Sequence, residues 1–208
     1  MGRLVLAAWL VLLQAVPAED FGTRLARAAV VQVGVTLHYD PSYRRIDYPG
    51  GDVPIDRGVC TDVVIRAYRS LGTDLQLLVH RDMKRNWSRY PKLWGLKRPD
   101  PNIDHRRVPN LQVFFRRHGK ALRVSSRAAD YAAGDLVTWH LPSGLPHIGI
   151  VSDRHVVPSR RPLIVHNIGE GARIEDILFE YRITGHYRFV GTAADRRAIG
   201  EEVLGERS

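Results

Sequence analysis

Cys60, His147 and the adjacent pair His166-Asn167 are the side chains of this sequence best suited to covalent chemistry. Cys60 is the sole cysteine, so no internal disulfide can claim it. A lone thiol is often a small buried hydrophobe. It is also a nucleophile when a base stands within hydrogen-bond reach and a third group orients that base. Apolar residues recur at three-and-four spacing after Cys60, which places it at the start of a helix. Unpaired N–H groups and the helix dipole there favour a thiolate and lower the thiol pKa. His147 opens one apparent strand and His166 nears the end of the next. Adjacent antiparallel strands could deliver both to the helix N-terminus. Strand alternation sends His166 and Asn167 to opposite faces, so only one of them can orient His147.

A nucleophile of this kind needs elements that hold it, and the pattern supplies helices first and strands second. Helices are expected from Asp20 to about Val33, from Cys60 to Leu71, from Asp74 to Arg89, and from Pro109 to a stop at Gly119. In the second of these Arg66 and Arg69 fall off the apolar stripe. Strands are expected at Leu136–His140, His147–Val151, Leu163–Ile168 and Gly185–Val190, joined by turns too short for helical crossovers. The fold class is therefore α+β, with N-terminal helices packed on a C-terminal antiparallel β-sheet. A turn-rich stretch from Tyr39 to Gly58 leads to Cys60, and the charged residues 95–107 suggest an exposed loop.

The N-terminus reads as an export signal. Met1-Gly-Arg3 precedes an apolar run from Leu4 to Val16 and the small-residue site Val16-Pro17-Ala18, so cleavage after Ala18 is expected. The run is too short for a membrane anchor, and no cysteine near the site invites lipidation. The expected product is a periplasmic or secreted domain over residues 19–191, with a polar tail over 192–208. The whole chain carries a net charge of +9, reduced by one if Arg3 leaves with the signal. That charge favours an anionic partner. Export and the scatter of the basic residues argue for a cell-envelope polyanion such as peptidoglycan and against nucleic acid. Nine histidines are present, but none stand at zinc-ligand spacing beside cysteine, so no metal or cofactor is expected. A monomer is expected.

Four segments in this order resemble the NlpC-type, papain-like cysteine peptidases of bacterial cell walls: Gly58-Val-Cys-Thr-Asp-Val-Val-Ile-Arg-Ala-Tyr68, Ala133-Gly-Asp-Leu-Val-Thr-Trp139, His147-Ile-Gly-Ile-Val-Ser-Asp153 and Ile164-Val-His-Asn167. A closer likeness, from about Ala28 to Val190, is to an uncharacterised family of secreted bacterial proteins within that superfamily. Tyr48-Pro-Gly-Gly-Asp52, Asn102-Ile-Asp-His-Arg-Arg-Val-Pro-Asn-Leu111 and His166-Asn-Ile-Gly169 carry it. The resemblance implies a papain-like core with Cys60 as nucleophile, His147 as base and His166 as the third member, Asn167 being the alternative. The usual Asp-Cys-Ser-Gly is here Val59-Cys60-Thr61-Asp62, so the residues beside the oxyanion site differ.

Thr61 and Asp62 follow the nucleophile and are candidates for oxyanion or substrate contact; Asp62 could equally serve only the helix N-terminus. Tyr39, Tyr48 and Asp52 lie on the loop before Cys60 and could wall a groove. His105, in the run Asp104-His-Arg-Arg107, belongs either to a solvated loop or to a carboxylate-binding site. The implied reaction is amide cleavage in peptidoglycan stem peptides through a thioester acyl-enzyme. A lipid or ester acyl hydrolase or acyltransferase is the alternative enzyme, and a non-catalytic wall-binding module is the alternative class. A peptidase predicts a polar cleft with arginines beside Cys60; a lipid enzyme predicts an apolar one.

Overall fold

The computed structural model describes residues 19–191. The expected signal segment and C-terminal tail lie outside the described residues. Helices come first: α1 (Phe21–Val30), α2 (Cys60–Ser70), α3 (Leu75–Arg85) and α4 (Val108–His118). Two-residue strands β1 (His38–Tyr39) and β2 (Arg57–Gly58) pair in parallel before α2. A six-stranded sheet follows, built from β3 (Lys120–Ala121), β4 (Leu136–His140), β5 (Pro146–His155), β6 (Pro162–His166), β7 (Arg173–Glu175) and β8 (Arg182–Arg188). Its spatial order is β3-β8-β4-β5-β6-β7, and every pairing is antiparallel. The architecture is α+β, helices on a sheet, as the order of patterns implies.

Both faces of the sheet are covered. Leu136, Ile148, Ile150, Val165 and Tyr187 face the helices and pack with Val63, Val64, Tyr68, Leu111, Phe114 and Phe115. Full burial of such side chains is worth about 1.5–3 kcal/mol each. Val137, Trp139, Val151 and Ile164 face the other way, under Tyr131, Ile177 and Leu178, and Trp139 donates its indole N–H to the Leu178 carbonyl at 3.1 Å. Period-two alternation therefore fills two cores from single strands.

Several boundaries differ from the sequence reading, each for a local reason. The first helix stops at Val30, and the chain turns on to Gly34, which holds φ 79. Asp74 caps α3 by accepting from Gln76 N–H. That helix ends at Arg85 rather than Arg89, because the Asn86 amide turns back onto the Asp82 carboxylate at 2.8 Å. A single 3₁₀ turn, Trp87–Arg89, follows. Strand β5 runs on to His155, paired with Pro162. Strand β6 stops at His166, since Asn167 bends away to donate to the Gly58 carbonyl at 3.0 Å. Residues 95–107 were expected to be exposed throughout, but Asp104, His105 and Arg106 are buried in a 3₁₀ turn.

Arg66 corrects the amphipathic picture of α2. It is buried, because α1, α3, β5 and the loop before Cys60 surround the helix. Its guanidinium donates twice to Asp52, at 2.9 and 3.1 Å, and also to Thr36 Oγ1 and the carbonyls of Val53, Pro54, Ile55 and Arg57. One planar fork thus gathers the loop that leads to Cys60. Arg66→Ala takes this partner from the Val53, Pro54 and Arg57 carbonyls and leaves Asp52 with Arg69 alone. We expect a loss of about 3 kcal/mol in urea unfolding, the low end for a broken buried pair because Asp52 keeps some solvent. A loss below about 1 kcal/mol shows that the loop holds itself.

Candidate active site

Cys60 is the first residue of α2, following Val59 in extended conformation. Asp62, in the first turn, accepts the Val59 N–H at 2.6 Å. Arg106 grips the same carboxylate with two hydrogen bonds, at 2.8 and 2.9 Å, and both side chains are almost fully buried. Gly58 must lack a side chain here, since a Cβ would stand 2.8 Å from Asp62 Oδ2. The chain is thereby bent sharply into the helix with the thiol at its tip. Backbone N–H groups of Ile148, Thr61 and Cys60 itself are directed at the sulfur.

Ile148 follows His147, so the thiol lies against the start of β5. His147 and His166 stand on the Trp139 face of the sheet, one diagonal step apart. The register pairs Ile150 with Val165, and continuing it sets Gly149 across from His166. A Cβ at Gly149 would meet Ile164 Cγ2 at 2.5 Å and His166 Cβ at 3.2 Å. Glycine therefore clears the space through which His166 reaches His147. The rings meet edge to face, with His147 Nε2 3.1 Å from His166 Nδ1. A second diagonal step leads to Glu175 on β7, whose Oε2 lies 2.9 Å from His166 Nε2.

This order of contacts sets the tautomers. Glu175 favours a proton on His166 Nε2, which leaves His166 Nδ1 to accept from His147 Nε2–H. His147 Nδ1, which makes no hydrogen bond here, then keeps its lone pair free. No hydrogen bond joins Cys60 to His147 in the resting structure, a common state for a base before substrate binds.

Burial dominates the electrostatics. It pushes the Cys60 thiol up to about 12, overriding the amides that favour the thiolate. It also pushes His147 down to about 3, with the neighbouring His166 adding to the effect. His166 is held low by burial too, and Glu175 partly opposes this. The thiolate expected at the helix N-terminus is thus replaced by a neutral thiol, and the His147 imidazole is neutral as well.

A cleft of about 410 Å³ opens at Cys60. Its walls are largely apolar, with Tyr39, Trp94, Ile103, Val108 and Leu145 prominent. Arg106 and Arg107 edge it, but the first is committed to Asp62 and the second lies 4.2 Å over the Trp94 ring. Of the residues singled out in the sequence, His147 and His166 are brought together, while Cys60 and Tyr39 line the cleft and Cys60 touches the start of β5 through the Ile148 N–H. The others serve the scaffold. Thr61 is buried and donates to the Arg106 carbonyl at 3.0 Å. Asp62 holds Val59 and Arg106. Asp52 binds Arg66 and Arg69. Tyr48 packs edge-on against His80. His105 is buried outside the cleft, and Asn167 secures Gly58 instead of orienting His147. Glu175 was not picked out by the sequence reading; its one signal was its place on the strand after His166. Among the described residues, no three His, Cys, Asp or Glu side chains converge as a metal site, and no helix is long and apolar enough to cross a membrane.

The sequence matches the family described as Domain of unknown function (DUF1287) over residues 26–189. It is 57% identical over 165 residues to the uncharacterized protein YijF of Escherichia coli (strain K12), across 79% of this chain and 80% of that protein. Solved structures of NlpC2 and NlpC1 from Trichomonas vaginalis are similar at 15% and 17% identity, with TM-scores of 0.43 and 0.45. These matches cover 84% and 85% of this chain but 49% and 46% of those structures, so the chain spans about half their length.

Two measurements check the electrostatics. Alkylation of Cys60 by iodoacetamide should climb about tenfold per pH unit through the alkaline range, because only the thiolate reacts; a plateau already reached at neutral pH shows a preformed thiolate. Glu175→Gln removes the charge that raises the His166 pKa, so the His166 titration followed by NMR should move to lower pH. An unchanged or higher value disproves the contact.

Proposed function

The chain belongs to the DUF1287 family, and we propose that it is a periplasmic or secreted thiol hydrolase that cleaves amide bonds in peptidoglycan stem peptides. The carrying observation is Cys60 at the N-terminus of α2 with the Ile148 N–H directed at its sulfur, and, next to Ile148 in the chain, a His147 imidazole held by His166 at 3.1 Å. The order of the cysteine, Gly-Asp and His-x-Gly-Ile segments, which resembles the cell-wall peptidases, and the net charge of +9 support the same reading.

The reaction runs as general-base-assisted acyl transfer. His147 Nδ1 takes the Cys60 proton as sulfur attacks the carbonyl carbon, so neither group need be charged beforehand. Amides near the start of α2 are the natural donors to the developing oxyanion. His166 and Glu175 stabilise the imidazolium. His147 then returns the proton to the leaving amine as the C–N bond breaks, leaving a thioester. Water, deprotonated by His147, attacks that thioester and releases the acid and the thiol.

A second reading is favoured by one observation, the largely apolar wall of the cleft at Cys60. It suits an acyl hydrolase or acyltransferase working on a lipid or another ester by the same steps. A wall-binding module without turnover remains the reading to which a failed assay points.

Incubation with purified peptidoglycan, followed by mass spectrometry of released fragments, separates these readings. The wild type should release fragments whose masses name the bond, and Cys60→Ala should lose about 10³-fold or more of that rate. The acid limb of kcat/KM should fall near the His147 value of about 3, because protonation there removes the base. Release of fatty acid from lipid esters without attack on peptidoglycan selects the second reading. Equal binding by both proteins with no turnover on either substrate selects the module.

A further inference from the structure

A second concavity, about 960 Å³ in volume, adjoins the cleft at Cys60. Tyr43 lines both, and the two walls abut at Trp94-Gly95 and at Asn102-Ile103. Arg45, Lys84, Lys97 and Arg98 all face this second cleft. They come from three separate parts of the chain: the strap before β2, the end of α3, and the loop after it. Among the described residues, none of the four forms an ion pair or hydrogen bond with a carboxylate. The cleft has a single carboxylate in its lining, Asp100, and that one is engaged by the Tyr43 hydroxyl and by Asn102. Exposed cations usually find an acidic neighbour on a mixed surface. Here four surround one hollow whose single carboxylate is already engaged by other groups.

We infer that this basic cleft is a binding site for a carboxylate-bearing part of the substrate whose scissile bond lies at Cys60. The inference rests on the hydrolase reading above and sharpens its specificity: the apolar walls beside the thiol take the uncharged part of the chain, and the cations beyond Tyr43 take its acid groups. Convergent cations in a concave site focus potential more than the same charges spread over a flat surface. The polar, arginine-bearing surface expected of a peptidase is therefore present one step away from the nucleophile.

The test measures binding, which does not depend on turnover. Calorimetric titration uses the Cys60→Ala protein and a muropeptide with free stem carboxylates, set against the same muropeptide with those groups amidated. The free-acid form should bind about tenfold more tightly, as expected for several partly exposed ion pairs acting together. Lys84→Glu/Arg98→Glu should abolish that margin while changing the amidated form by less than about twofold. Both residues are exposed, so thermal melts should show the double variant folded. Added salt should shrink the margin as well. Equal affinity for the two muropeptides, a margin that survives the double variant, or no binding of either overturns the inference. So does inorganic phosphate displacing the free acid more strongly than acetate, which assigns the cleft to phosphate. Fragment release by the wild type together with charge-blind binding sinks this site and leaves the hydrolase standing. Charge-dependent binding without fragment release does the reverse.

Discussion

The Asp62 carboxylate is the point on which the site hangs. It closes the N-terminus of α2 by accepting the Val59 N–H, and it holds Arg106 by both nitrogens of the fork. Arg106 in turn reaches the carbonyls of Asp40 and Ser42, while its own carbonyl takes the Thr61 hydroxyl. One buried pair therefore ties the nucleophile's helix to the strap on one side of the cleft and to the 3₁₀ turn on the other. Pairs of this kind contribute little net stability when intact, but leave a costly bare charge when halved. Their use here is geometric: three segments distant in sequence are fixed at one place.

Two opposing influences act on the Cys60 sulfur, and magnitude decides between them. A helix end favours a negative charge by about 0.3–1 kcal/mol. Removal from water can shift a buried group by up to about 3–5 pKa units, which is several times larger. Burial wins. For the hydrolase proposed above, this means a base that takes the proton during attack, as in serine hydrolases, rather than a standing ion pair. His147 is unprotonated throughout the neutral range, and as a weak base it would take the proton only as the sulfur attacks.

Much of this arrangement was legible in the chain. Leu136–Trp139 is apolar on both sides because Leu136 packs toward the helices while Val137 and Trp139 pack into the second core, and the α2 stripe from Val63 to Leu71 is regular. The proximity of His147 to His166 followed from strand order, and Gly149 explains how it is achieved. What escaped did so for physical reasons. Arg66 falls off the apolar stripe of α2, but the stripe rule presumes one wet face, and residues 60–68 of this helix are all buried. Asp104-His-Arg-Arg107 looks like a charge run for water, yet Arg106 points inward to a carboxylate 44 positions earlier in the chain. Glu175 lies on a three-residue strand too short to show any period, and its role depends on a diagonal contact that only the register reveals.

The hydrogen bond from Asn167 to the Gly58 carbonyl has a mechanical meaning. It joins the residue after His166 to the residue two before Cys60, so the end of β6 and the start of α2 move as one part. The place of Cys60 relative to β6 is then set across a short clamp instead of through the thickness of the core. The rim formed by residues 93–103 lies outside that clamp. Insertions or exchanges in the rim can reshape what the cleft accepts while the spacing of the reacting atoms stays fixed.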